Sequence, residues 1–391
     1  MGTLKIATVN GEWMNDWFTP DAEAAAFKPT FDDDGEQGVT ADAAGRLGAL
    51  ITAIDADLVA LVEAPSRAAE LALFIDEYLS VNGAPAYDFV LGDSGGSHKL
   101  ALLFRPDRAR VALASSADVR MVIDPWLADV DGDAVLDEYR YTRNPLACVA
   151  EVEGGTLEVI VAHLKSNFVN RGREMWENEA QRPAFIRQAL KNRRRIATEA
   201  MRIRRHLERR IDADPEAAII VLGDLNDGPG QDYFEELYLA HNVTDIIVGS
   251  PYRPERLFGH AQADVPEELR YTAEFDDFVT NEPNRRLLLD HILASPALVR
   301  GGGRWRRSPA PARSSTGPGR RSSAATADGA TSAPPTIARR PSPSPRPERR
   351  GCPLSGRRPR GRRYRTGSRA WMSSSTSETP ASGSSAARSP R

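Results

Sequence analysis

Oxygen-bearing side chains directly follow several apolar runs in this sequence. The residues in question are Asn10 and Glu12 after the run 4–9, Glu63 after 58–62, and Asp224 and Asn226 after 218–222. Short apolar runs bounded by turn residues predict buried strands. Because ligand sites in α/β proteins form at the carboxyl ends of strands, we expect these side chains to share one site.

Carboxylates gathered at one site repel one another unless a cation lies between them. An oxygen-only donor set favours a hard ion, here Mg²⁺ or Mn²⁺, held together with waters and a substrate phosphate. The sequence has no CxxC pair that would suggest zinc, and its two cysteines, Cys148 and Cys352, are not expected to form a disulfide. The strand ends therefore predict a magnesium or manganese site.

Each of these residues, taken alone, also has a structural explanation. The structural roles are Asn10 as a turn cap, Glu63 as a loop acid, His163 as a core histidine, and Asp224 as a turn former. Asp290, in the middle of the apolar run 287–293, is harder to explain in this way, because an unpaired buried carboxylate is costly. The common placement of these residues at strand ends favours the functional interpretation.

Five segments, taken in order, resemble the endonuclease/exonuclease/phosphatase superfamily. They read ATVNGEW, LVALVEAP, VAHLKSN, VLGDLNDGP and LLLDHILAS, and they span about residues 3–298. The resemblance implies a four-layer α/β sandwich, in which two packed mixed β-sheets are flanked by helices. The irregular alternation of strands and helices in the sequence favours the same fold class.

The resemblance also implies roles for the residues that match its motifs. These are Asn10 orienting the attacking group and phosphate, Glu12 as a secondary metal-site acid, Glu63 as the principal Mg²⁺ ligand, His163 contacting the scissile phosphate, Asp224 and Asn226 positioning and deprotonating the water, and Asp290 orienting a final catalytic histidine. Arg143, in YTRNPL, and Lys165, in VAHLKSN, are candidates for binding the substrate phosphate; a surface salt bridge explains Arg143 equally well. If the chain stays extended after residue 222, Asp224 and Asn226 point the same way.

The sequence departs from the family pattern after residue 299. The last strand of the family carries a Ser-Asp-His segment, but no histidine follows His291 here. Residues 301–391 hold 20 Arg, no Lys and three acids, a net charge of +17, while the other 300 residues carry −20. We therefore expect a domain over 1–299 without its C-terminal strand and a disordered Arg/Ser/Pro-rich tail over 300–391. The tail is either a frameshift product or a genuine basic tail that binds nucleic acid.

The expected function is Mg²⁺-dependent hydrolysis of a phosphodiester or phosphomonoester, impaired by the loss of the terminal histidine. The alternatives are a catalytically dead pseudoenzyme and a nucleic-acid-binding module that uses the basic tail. GDLND also fits an element of calcineurin-like metallophosphatases, but their Asp-x-His and Gly-Asn-His elements do not occur. The acidic body favours a short nucleic acid, a nucleotide or another small phosphoester as substrate. Without a secretory signal or an apolar span, we expect a cytoplasmic monomer with no membrane contact.

Overall fold

Apolar runs of the sequence become the central strands of two β-sheets. The computed structural model describes residues 3–20, 23–33, 36–96, 98–228, 232–238, 242–301 and 324–328. Its strands are β1 (Lys5–Asn10), β2 (Thr30–Asp33), β3 (Glu36–Val39), β4 (Leu58–Ala64), β5 (Ser80–Val81), β6 (Ala84–Pro85), β7 (Asp88–Leu91), β8 (Lys99–Phe104), β9 (Ala109–Leu113), β10 (Trp126–Ala128), β11 (Asp137–Tyr139), β12 (Leu146–Val152), β13 (Gly155–His163), β14 (Ile219–Asp224), β15 (Gly259–His260), β16 (Ala273–Asp277), β17 (Glu282–Leu287), β18 (Asp290–Ala294) and β19 (Ala324–Asp328).

Helices alternate with these strands along the chain. They are α1 (Thr40–Ile54), α2 (Ala68–Tyr78), α3 (Ser116–Ile123), α4 (Gly172–Glu177), α5 (Arg182–Ala213), α6 (Tyr233–Tyr238), α7 (Val243–Val248) and α8 (Pro296–Arg300), with 3-10 turns at Met14–Trp17, Pro254–Arg256, Ala261–Asp264 and Glu267–Leu269. Within the described ranges, no helix combines the length and the apolar character needed to cross a membrane.

Both large sheets are mixed. The first has the strand order β19-β1-β4-β8-β7, in which β1 and β4 run parallel and every other neighbouring pair is antiparallel. The second has the order β15-β18-β14-β13-β12-β9, in which β13 and β14 form the parallel pair. The carboxyl ends of a parallel pair lie at the same edge of a sheet, so each sheet brings two strand ends together.

Apolar side chains fill the layers between these elements. Residues from both sheets, among them Leu58, Leu102 and Val159, pack between the two sheets. The other face of the first sheet packs against α1 and α2 through Leu47 and Phe74. The other face of the second sheet packs against α5 and α7. The arrangement is a four-layer α/β sandwich, which confirms the predicted fold class.

The run 287–293, predicted as a single strand, is divided between β17 and β18. The N–H of Leu289 donates to the hydroxyl of Thr272, and its carbonyl accepts from the N–H of Leu225, so this residue pairs outside a regular ladder. Asp290 was predicted to lie in the middle of a strand. It is instead the first residue of β18.

Two local elements lie outside the central strands. The long charged helix α5 begins at Arg182 with Pro183 in its first turn. β2 and β3 pair as a hairpin before α1.

A strand follows residue 299, and the prediction that this strand is missing is wrong. The backbone of β19 pairs antiparallel with β1, from Asp328 opposite Lys5 to Ala324 opposite Val9. Such pairing needs only main-chain donors and acceptors, which a segment without apolar periodicity also supplies. All described residues fall within one compact unit that ends at Pro334. A second unit, 335–391, and the rest of the predicted tail, 302–323 and 329–334, lie outside the described residues.

Candidate active site

Glu63 lies at the end of β4, where the strand bulges between Val62 and Ala64. The bulge holds Glu63 in the left-handed region with φ 57°. Such a conformation costs a non-glycine residue about 1–3 kcal/mol and persists where the surrounding structure enforces it, as at functional sites. One Glu63 oxygen accepts a hydrogen bond of 3.0 Å from the N–H of Trp13, so the turn after β1 helps to position this carboxylate.

Two imidazoles flank the carboxylate of Glu63. Nδ1 of His98 lies 3.8 Å from one oxygen and Nε2 of His163 lies 3.8 Å from the other, longer than hydrogen bonds. Burial by itself would raise the pKa of Glu63, but His98, His163 and the N–H of Trp13 outweigh it and lower the pKa to about 2. Glu63 is therefore ionised at every physiological pH.

Asp224 ends β14 directly beside His163, the last residue of the parallel strand β13. Nε2 of His163 lies 3.6 Å from Oδ2 of Asp224. Gly223, just before Asp224, has φ 127°, and a Cβ there would lie 2.0 Å from the carbonyl oxygen of Ala162. Only glycine allows the two strands to approach this closely. This close approach fixes Asp224 next to His163.

Asp290 faces Asp224 across the antiparallel pair of β14 and β18. Both residues are buried, with 2% of Asp290 and 7% of Asp224 exposed. Burial, the charge of Asp290 and the charge of Glu63 raise the pKa of Asp224 well above its usual value. The site thus concentrates carboxyl groups whose negative charges repel one another.

His163 and Arg143 complete the centre of the site. The side chain of His163 is 2% exposed. Burial and the charge of Arg143 lower its pKa to about 3, so the ring is neutral at physiological pH. The half-buried guanidinium of Arg143 lies near Glu63 and Asp224 and donates from Nη1 to the carbonyl of Leu164 at 3.2 Å. Burial lowers the pKa of Arg143, but an arginine stays charged.

Asn226 does not point the same way as Asp224, because the chain turns after β14. Asn226 has φ 56°, and its N–H donates to Oδ1 of Asp224 at 2.8 Å. Its side-chain Nδ2 donates to the carbonyl of Leu164 at 3.0 Å. The chain is thus not extended from Asp224 to Asn226, the condition on which a shared direction of the two side chains depended, and the Asn226 amide links the loops after β13 and β14.

Three further predicted residues take part in local turns. Oδ1 of Asn10 accepts a hydrogen bond of 2.9 Å from the N–H of Glu12, which is the turn-capping role considered for Asn10. Glu12 is half-buried and has φ 49°. Nζ of Lys165 donates to the carbonyl of Ser166 at 2.8 Å. Asn10 is the last residue of β1, Glu12 follows β1, and Lys165 follows β13.

His98 and Glu199 also belong to the site, although neither was predicted from the sequence. His98 stands in a Gly/Ser-rich stretch before β8, where no apolar run ends, so it gave no signal. Glu199 is fully buried in α5 and accepts hydrogen bonds from the N–H groups of Lys165, at 2.9 Å, and Thr142, at 3.1 Å. Its signal was its position on the apolar face of the helix, three residues after the buried Ile196.

His291 does not replace the missing terminal histidine. Its Nε2 lies 2.7 Å from the carbonyl oxygen of Asp227, and its Nδ1 lies 2.7 Å from Nε2 of His260. Burial lowers the pKa of His291 to about 4. The ring is thus a neutral core group that supports the loop after β14.

A separate group of carboxylates lies on the loop between β10 and β11. Asp129, Asp131 and Asp133 each place one oxygen within 4.8 Å of the other two. Asp131 also forms an ion pair with Nζ of Lys191 at 3.4 Å. Exposed acidic groups of this kind occur commonly without an ion, so we assign them no metal.

The fold and the site define a four-layer α/β sandwich with an acidic centre at the strand ends of both sheets. A family model described as the Endonuclease/Exonuclease/phosphatase family matches residues 37–344. The chain belongs to this family, which confirms the resemblance. Members of the family are hydrolases that act on phosphate esters and generally use divalent metals. The matched range includes β19 but begins after Asn10 and Glu12.

Several solved structures resemble this chain in fold. D. rerio TDP2 humanized by 14 mutations is 14% identical, with 84% of this chain and 99% of that chain covered and a TM-score of 0.46. An endonuclease/exonuclease/phosphatase from Bacteroides vulgatus is 12% identical, with 84% and 98% covered and a TM-score of 0.41. The human Nocturnin catalytic domain, solved with bound sulfate, is 13% identical, with 83% and 92% covered and a TM-score of 0.39. No curated protein matches this chain in sequence.

Proposed function

We propose that this chain is a phosphodiester hydrolase that depends on Mg²⁺ or Mn²⁺. The observation that carries the proposal is that Glu63 of the first sheet meets His163 and Asp224 of the second sheet, together with Arg143 from the loop before β12. Phosphodiester cleavage needs carboxylates that hold a metal ion, a positive side chain such as Arg143 that binds the phosphate, and a neutral imidazole.

A divalent cation fits the acidic groups of this site. Glu63 is ionised, and burial together with the charges of Asp290 and Glu63 raises the pKa of Asp224; a cation would relieve the repulsion between these carboxylates. Glu63 and Asp224 would hold the ion, and Glu12 is the candidate for a secondary contact. A divalent ion bound there supplies Lewis acidity and positive charge to the phosphate.

The residues of the chain divide the remaining work. Arg143 binds a phosphate oxygen and stabilises the negative charge that develops on that oxygen. His163, as a neutral ring, contacts the scissile phosphate. Asp224 accepts the proton of the attacking water, since its carboxylate lies at the centre of the site, 3.6 Å from Nε2 of His163. Asn226 contributes indirectly, because its N–H donates to Oδ1 of Asp224 and so helps to orient that carboxylate.

The proposal is tested by hydrolysis of bis(p-nitrophenyl) phosphate by the full chain with Mg²⁺, with Mn²⁺ and with EDTA. We expect EDTA to abolish the activity, and Glu63→Gln and Asp224→Asn each to lower kcat by about 10²–10⁴-fold. Glu208→Gln is the matched control, since this glutamate on α5 pairs with Arg204 outside the site. Hydrolysis that persists in EDTA, or a Glu63→Gln variant with full activity, would contradict the proposal.

One observation favours the alternative of a catalytically inactive relative. No histidine follows His291, and the residue opposite Val9 at the end of β1 is Ala324. An inactive protein would still bind the cation at Glu63 and Asp224. A metal-induced rise in Tm that is lost in Glu63→Gln, together with no hydrolysis by the wild type, would identify this alternative.

A further inference from the structure

Trp13 is a large exposed aromatic residue in contact with the acidic centre. The residue keeps 54% of its surface exposed, although its own N–H donates to Glu63 at 3.0 Å. Exposing an indole to water forgoes the free energy of burying it. The ring belongs to the residue whose own main-chain N–H contacts the proposed metal ligand, so its exposed position calls for a functional explanation.

The backbone of Trp13 is held firmly on both sides. Trp13 has φ 63°, and its carbonyl accepts a hydrogen bond of 2.8 Å from the N–H of Asp16. The following 3-10 turn is anchored in the core by Met14 and Trp17, which are 0% and 3% exposed. The ring is therefore presented to solvent from a fixed base, which limits the entropy lost when a ligand orders it.

His98 supports the indole from the side. The two rings meet edge to face, with centroids 4.7 Å apart and an interplanar angle of 82°. The same imidazole lies 3.8 Å from Glu63. Trp13, His98 and Glu63 thus form a continuous surface from an apolar ring to the proposed phosphate centre.

We propose that Trp13, supported by His98, is a stacking platform for the base of the nucleotide that carries the scissile phosphate. This inference rests on the proposed phosphodiester hydrolysis and names its substrate class: single-stranded nucleic acid or its nucleotide fragments. A flat apolar ring beside a phosphate centre matches the two parts of a nucleotide, and base stacking on aromatic rings tolerates any sequence. The net charge of −20 on residues 1–300 also disfavours wrapping of a long duplex, whose binding depends on many phosphate contacts.

The test measures binding directly, so that it does not depend on turnover. Adenosine 5′-monophosphate, ribose 5-phosphate and a deoxyadenosine tetranucleotide are titrated into the full chain by calorimetry, with Ca²⁺ in place of Mg²⁺. We expect Trp13→Ala to weaken adenosine monophosphate binding by about 5- to 150-fold, the range of one lost base stack. The affinity of Trp13→Ala for ribose 5-phosphate should stay within about two-fold of the wild-type affinity, because this ligand has no base to stack. Stronger loss with the tetranucleotide than with the monophosphate would assign the platform to a chain rather than a free nucleotide.

Two variants control for folding and for general loss of an aromatic ring. Trp13→Phe should retain most of the affinity for adenosine monophosphate, and Tyr252→Ala, which removes a ring that is 93% exposed on another loop, should change nothing. Equal losses for both small ligands in Trp13→Ala would show that Trp13 supports Glu63 rather than a base. Equal binding of the two ligands by the wild type, or binding of neither, would also overturn the platform. The proposed hydrolysis fails separately, through the EDTA and Glu63→Gln results.

Discussion

Replacing Glu199 with glutamine should loosen the loops that carry His163 and Arg143. The Glu199 carboxylate accepts from the N–H of Lys165 at 2.9 Å, and from the N–H and hydroxyl of Thr142 at 3.1 and 3.3 Å. Glutamine is close in shape but has one acceptor oxygen, and its NH₂ would face a main-chain N–H. A fully buried donor left without an acceptor costs about 1–3 kcal/mol. Because the donors of Lys165 and Thr142 are only partly buried, we expect the free energy of unfolding to fall by about 1 kcal/mol, the lower end of that range.

The same change should lower activity, since the two bonded segments adjoin the site. Lys165 is two residues after His163, and Thr142 directly precedes Arg143. A displacement of about 1 Å in positioning groups can cost a factor on the order of 10² in rate, so we expect kcat to fall by about 10- to 100-fold. The metal affinity should change little, because Glu63 and Asp224 lie on other strands.

Urea unfolding and metal-dependent hydrolysis would be measured on the wild type, Glu199→Gln and Glu208→Gln. Glu208 lies on the same helix, but its side chain is 40% exposed, so its substitution should change stability by less than about 0.5 kcal/mol. A Glu199→Gln variant as stable as the Glu208→Gln control would refute the reasoning, because it would mean that the two N–H groups need no carboxylate.

Three further predictions concern other buried groups. Burial and a neighbouring carboxylate raise the pKa of Glu235 from 4.5 to about 7, so its contribution to stability should be lost as the pH rises from about 4.5 to about 7. In urea unfolding, Glu235→Gln should reduce the pH dependence of the unfolding free energy over this range. An unchanged pH dependence in the variant would count against this assignment. Burial raises the pKa of the Cys148 thiol to about 12, so native protein carrying Cys352→Ser should react with a thiol reagent at pH 8 only after unfolding. Gly223→Ala should destabilise by more than about 3 kcal/mol, because the new Cβ would clash with the Ala162 carbonyl; a soluble variant with an unchanged Tm would disprove this.

The sequence predicted the parts of the site that depend on single strands. Glu63 and Asp224 each stand directly at the end of an apolar run, so a local pattern was enough to place them at an edge of a sheet. The same argument placed His163 at the end of β13. These residues meet because the parallel pairs bring strand ends together, which is a general property of such sheets.

The contributions that could not be predicted depend on contacts between distant segments. His98 reaches Glu63 from the loop before β8, and Glu199 reaches Lys165 from the middle of α5. The turn at Asn226 was missed because Asp-Leu-Asn is compatible with an extended chain, and the left-handed residue is stabilised by its bond to the carbonyl of Leu164. The strand β19 was missed because its residues show no apolar alternation.

The pairing of β19 has a consequence for how the fold could be divided. The ladder to β1 is made of main-chain groups, so it does not require that the paired segment be joined to the rest of the chain. A synthetic peptide in extended form can therefore take the same edge in a truncated protein that ends after α8. The first sheet then becomes a receptor for strand addition in trans, and hydrolysis or Tm would report whether the peptide has bound. Such a two-piece protein would allow the edge strand to be varied chemically, including the placement of an imidazole near the end of β1.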